Sequence, residues 1–115
     1  MHELSLAGGV LKVVEDAAAR EGFARVIQLR LEAGALCGVD VEALRFALET
    51  LRAGTCLQEA EIHIDTPPGR AWCMRCAHAV PIFSRLDDCP DCGGHQLQPT
   101  DGTQLRVVEL MVKDD

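Results

Sequence analysis

Cys73-Met74-Arg75-Cys76 and, twelve residues later, Cys89-Pro90-Asp91-Cys92 decide how this chain is read. Two C-x2-C pairs at this separation let two tight turns close on one tetrahedral zinc ion, with Zn–S distances of about 2.3 Å. In the second pair Pro90 presets the turn, and Gly93 and Gly94 permit the positive backbone angles that aim amide N–H groups back at sulfur. Ala77 stands where the first pair would take a glycine, which predicts a less regular first knuckle. The other reading of paired cysteines is two disulfides in a small secreted domain. Against it, Glu3 occupies the place of a basic leader region, and Gly8, Gly9 and Lys12 interrupt the apolar run from Leu4 to Val14. Six cysteines without a leader point to a reducing compartment, the cytoplasm.

Four thiolates leave zinc no vacant position for water or substrate, so the expected role is structural. The segment 69–100 needs such a staple. Its large apolar side chains are essentially Trp72, Val80, Ile82, Phe83, Leu86 and Leu97. Zinc binding of about 10–16 kcal/mol exceeds what that set supplies by burial.

Upstream, the spacing of Leu4, Ala7, Val10, Leu11, Val14, Ala17 and Ala18 predicts an amphipathic helix over Leu4 to Ala19. Gly8 and Gly9 should weaken its first turns. Val26 to Glu32 alternates as a half-buried strand, with Ile27, Leu29 and Leu31 on one face. Asp40 reads as the N-cap of a second helix carrying Val41, Leu44, Ala47, Leu48 and Leu51, stopped by Gly54. Glu61 to Asp65 forms a second strand, Thr66-Pro67-Pro68-Gly69 breaks it, and Gln104 to Val112 forms a third. The pattern there is less clean because Val107 and Val108 are adjacent. The expected fold is α+β: a small three-stranded sheet with two helices on one face, plus an inserted zinc-ribbon-like lobe. Residues 1–68 and 101–115 make the first lobe, and residues 69–100 the zinc lobe.

Composition narrows the function. Aromatic residues are 3% of the chain and the formal charge is −7, so a base-stacking surface is lacking and a phosphate backbone is repelled. That argues against a nucleic-acid-binding zinc ribbon, for which only Arg70, Arg75 and Arg85 are candidate contacts. A zinc-ribbon scaffold or nucleic-acid module remains the alternative reading. A hydrolase ranks below both, since it needs an open metal position and the chain has no H-E-x-x-H or nucleophile elbow. His63 lies on the polar face of its strand with no evident partner. His78 and His95 flank the zinc cysteines and read as exposed, while Cys37 and Cys56 read as buried small hydrophobes.

Met1-His2-Glu3 would by itself read as a frayed terminus. Its chemistry is nonetheless specific. The Met1 amine, the deprotonated His2 amide and the His2 imidazole form adjacent chelate rings suited to square-planar nickel(II) or copper(II). Glu3 or Asp40 can supply a fourth donor.

These features together resemble the HypA/HybF family: Met-His-Glu opening a helix, the strand and loop Leu29-Arg30-Leu31-Glu32-Ala33-Gly34, the C-x2-C-x12-C-x2-C spacing, and the closing strand through Val108-Glu109-Leu110. The resemblance covers essentially the whole chain. It implies a nickel metallochaperone, not an enzyme, that delivers Ni2+ to the [NiFe]-hydrogenase large-subunit precursor. The implied partners are the GTPase HypB and, in some relatives, urease maturation proteins. The family's nickel motif falls on Met1, His2 and Glu3, and its zinc ligands on Cys73, Cys76, Cys89 and Cys92.

Overall fold

In a computed structural model, which describes residues 2–113, the element order is α1 (His2–Glu21), β1 (Arg25–Ala33), α2 (Val41–Leu51), β2 (Glu61–Asp65), β3 (Gly69–Cys73), β4 (His78–Ile82), β5 (Leu97–Asp101) and β6 (Leu105–Lys113). The fold is α+β, with two three-stranded sheets ordered β2-β1-β6 and β4-β3-β5. Chain contacts divide it into two compact units. One comprises residues 1–31, 39–64 and 107–115, and the other residues 32–38 and 65–106. The loop 32–38 and residues 65–68 and 101–106, assigned by sequence to the first lobe, thus pack with the second. None of the described helices is long and apolar enough to cross a membrane.

In the first unit α1 packs against α2. The helix buries Ala7, Val10, Val14 and Ala17, one face at helical spacing, and continues through Gly8 and Gly9 without a break. From Gln28 onward β1 alternates, burying Leu29 and Leu31 while Gln28 and Arg30 stay half-exposed, but Ile27, expected on the face of Leu29, is exposed and its neighbour Val26 is buried instead. Leu44, Ala47 and Leu48 complete the apolar stripe of α2. Asp40 caps that helix as expected, its Oδ1 accepting from the Ala43 N–H at 3.2 Å.

The second unit holds a sheet that the sequence reading did not predict. β3 pairs antiparallel with β4, Ala71 opposite Val80, and with β5, Trp72 opposite Gln98. Its core is Leu36, Ala71, Cys73, Val80, Ile82 and Cys89. Of the large apolar residues expected there, Val80 and Ile82 are buried and Leu97 packs partly against them. Trp72, Phe83 and Leu86 are exposed, Leu86 by 92%. Trp72 points outward because β3 alternates, and its inward places belong to Gly69, Ala71 and Cys73. The missing volume comes from Leu36, brought in by a loop whose Leu36 carbonyl accepts from Arg85 Nε at 3.2 Å.

Backbones cross closely in this unit. A Cβ on Gly34 would collide with the Gly102 carbonyl, and one on Gly102 would lie 2.6 Å from Gly69 Cα. Glycine is therefore required at this junction by space, and at Gly102 also by its φ of +79°.

Candidate metal centres

Cys73 ends β3, Cys76 follows in the turn to β4, and Cys89 and Cys92 flank the second turn. The four sulfurs lie within 4.8 Å of one another. Cys73 Sγ is 3.7 Å from Cys92 Sγ, and Cys76 Sγ is 3.9 Å from Cys89 Sγ. A tetrahedron with Zn–S near 2.3 Å has edges of about 3.8 Å. The cluster therefore has the dimensions and donors of a closed tetrathiolate site.

Both turns close with the same backbone bond, though the sulfur that accepts an amide is the first of one pair and the second of the other. The Ala77 N–H donates to the Cys73 carbonyl and the Gly93 N–H to the Cys89 carbonyl, each at 2.8 Å. Cys73 Sγ accepts from the Cys76 N–H at 3.3 Å, and Cys92 Sγ from the Gly94 N–H at 3.4 Å. The first knuckle is accordingly not irregular, contrary to expectation. Ala77 adopts φ +57° beside the +72° of Gly93, so the alanine takes a left-handed conformation that costs an L residue about 1–2 kcal/mol.

Cys73 and Cys76 are driven in opposite directions. The Cys76 N–H leads in drawing the Cys73 thiol down to about 7, while the neighbouring Cys92 sulfur leads in pushing Cys76 up to about 12. A dication held by all four as thiolates relieves that conflict. Around them, His78 Nε2 lies 3.3 Å from Asp91 and His95 Nδ1 lies 2.6 Å from Asp88. These histidines are exposed as expected, but each has a carboxylate partner that linear reading missed. The same holds for His63, whose Nε2 is 2.6 Å from Glu61 Oε1. Alternation places Glu61 and His63 on one strand face, a signal available in the sequence.

At the other end of the chain, His2 opens α1 with its side chain 65% exposed. Glu3 Oε2 accepts from the Asp40 N–H at 3.1 Å and lies 3.8 Å from His2 Nδ1. The Asp40 amide leads in holding the Glu3 carboxyl below its usual range. Asp40 itself spends Oδ1 on the cap of α2. Met1 lies outside the described residues. Cys37 and Cys56 are half-buried rather than buried. Burial first, and then the Glu15 carboxylate, pushes the Cys56 thiol up to about 11, so that thiol is protonated and inert near neutrality.

Fold and sites define a small two-unit metal-handling protein with one closed thiolate centre. Comparison with known proteins is more specific. A family model described as HypA, hydrogenase/urease nickel incorporation, metallochaperone, matches residues 1–112, and the chain belongs to that family. Its members are nickel-incorporation metallochaperones of hydrogenase maturation, maturation factors rather than enzymes. Hydrogenase maturation factor HypA of Cupriavidus necator is 60% identical over 114 residues, covering 99% of this chain and 96% of that one. The protein of the same name from Polaromonas naphthalenivorans is 55% identical over 115 residues, the full length of both. In fold, the chain is similar to the solution structure of the Ni metallochaperone HypA from Helicobacter pylori. The TM-score is 0.71 at 18% identity, with 98% of each chain covered.

Proposed function

We propose that this chain collects Ni(II) at its N-terminus and surrenders it to the precursor of a [NiFe]-hydrogenase large subunit, while zinc on Cys73, Cys76, Cys89 and Cys92 serves shape alone. The observation that carries the nickel reading is the position of His2, exposed at the first turn of α1 beside a carboxylate already held in place. The first amides of a helix have no intrahelical acceptor. Nickel can therefore displace the His2 amide proton without breaking a helical hydrogen bond, and join that nitrogen to the Met1 amine and the His2 imidazole.

Glu3 is the nearer fourth donor, since Asp40 is occupied as a cap. The positive end of the α1 dipole opposes a divalent cation and the Glu3 charge offsets part of that. Such a balance suits cargo that must leave. Release then proceeds by ligand exchange, the recipient's donors replacing the imidazole and the amine in turn. The sequence has no G-x-x-x-x-G-K-[ST] motif, so nucleotide hydrolysis falls to a partner, in this reading the GTPase HypB. The setting is the cytoplasm, and urease maturation is a second possible destination for the nickel.

The test is nickel titration of untagged protein with a native N-terminus beside His2→Ala. The variant should lose stoichiometric nickel binding and hydrogenase maturation, with zinc content and Tm unchanged. Full nickel stoichiometry in His2→Ala would move the site elsewhere.

A further inference from the structure

The strand β6 is the last of the sheet β2-β1-β6, so one of its edges has no strand partner among the described residues. None of its nine residues is buried. The opposite edge is managed differently. There β2 has only five residues, and Arg45 Nη1 donates to its Ile62 carbonyl at 2.7 Å. Long, apolar and uncovered edges are templates for another strand.

The order of residues along this edge identifies that strand. From Glu109 to Lys113 the alternation is regular: Glu109, Met111 and Lys113 are exposed, and Leu110 and Val112 are half-buried. Charge along the exposed face reads acid, neutral, base, which is complementary to its own reverse. A two-fold axis perpendicular to a sheet keeps each side chain on its own face, so it must pass through a residue and not between two. An axis through Met111 sets Glu109 opposite Lys113 of a second copy, twice. An axis through Glu109 opposes that carboxylate to itself, and one through Val108 or Leu110 opposes no unlike charges within residues 107–113. We propose that β6 pairs antiparallel with β6 of a second copy about Met111, joining two three-stranded sheets into one of six. The half-buried stripe is completed in the same step, with Leu110 of one copy opposite Val112 of the other.

A five-residue seam is shorter than a standard interface, so the pairing is weak and depends on concentration. Sedimentation of the zinc-loaded full chain should show a monomer–dimer equilibrium. Glu109→Lys opposes Lys to Lys at both ends and Lys113→Glu opposes Glu to Glu. Each should raise the dissociation constant roughly tenfold or more. Glu109→Lys also loses a contact 3.8 Å from Arg30 within its own chain. Mixing the two variants controls for that, since each strand then meets unlike charges at both ends and heterodimers should form where neither variant dimerises alone. Should Glu109→Lys not fold, Met111→Lys sets two like charges on the axis and must abolish the dimer with unchanged circular dichroism. A wild-type chain that stays monomeric at every concentration, a dimer indifferent to Met111→Lys, or variants that fail to associate when mixed overturns the proposal.

Discussion

Six aliphatic side chains of the helical unit, Val14, Leu29, Leu31, Leu44, Leu48 and Leu57, are 1% exposed or less. The unit containing the four sulfurs buries seven side chains, of which two are the ligands Cys73 and Cys89 and two are alanines. The first closes by apolar burial spread over many residues, and the second concentrates its closure at one point. Distributed closure degrades gradually as side chains are trimmed. Closure through an ion is lost all at once.

The sharpest way to break this contrast is Cys73→Ser or Cys92→Ser. Zinc should leave, and with it about 10–16 kcal/mol of folding free energy for residues 65–106. Hydrogen exchange should find that segment unprotected while α1 and α2 keep their helical signal. Native protection throughout the variant would refute the structural role.

Leu44→Ala is the reciprocal test. Leu44 is fully buried, so truncation should cost about 2–5 kcal/mol in chemical denaturation of the helices, with bound zinc unchanged. Zinc loss in parallel would mean that the two units unfold as one.

Smaller effects are expected where the backbone departs from its neighbours' preference. A Cβ on Gly8 or Gly9 meets nothing within 4 Å, so packing does not demand either glycine. Alanine at each should stabilise α1 by up to about 1 kcal/mol, seen as slower amide exchange in its first turns. If those turns must loosen to release cargo, nickel transfer should slow as well. Ala77→Gly should have the smallest effect, a gain within about 1 kcal/mol in the stability of the zinc-loaded unit. Relief of the left-handed strain there is partly cancelled by the freedom glycine adds to the unfolded chain.

Elements with a clear period were legible in the sequence. The strand expected at Glu61–Asp65 is present with those bounds. The helix expected from Leu4 to Ala19 extends to His2 and Glu21, because a periodic apolar face marks the middle of a helix better than its ends. The meeting of four cysteines was legible too, since spacing alone determines which turns can close on one ion. What escaped was the sheet β4-β3-β5. Ala71 and Cys73 alternate with Arg70 and Trp72, but the inward side chains are so small that they do not read as an apolar strand face. Leu36 escaped because a single loop residue has no period. Ala77 was misjudged because residue type biases backbone conformation without dictating it, and here the turn's own hydrogen bond overrides the bias.

The crossing of Gly34, Gly69 and Gly102 bears on how the molecule is made. Those residues come from three distant parts of the chain, and the junction exists only when all three have met. A chain emerging from the ribosome cannot complete the sulfur-bearing unit when its fourth cysteine appears; it must wait for residue 102. The helical unit waits longer still, because its third strand begins after that. Neither half has a head start. Zinc captured by the nascent cysteines would hold a loop still open at both ends, waiting on residues translated after it.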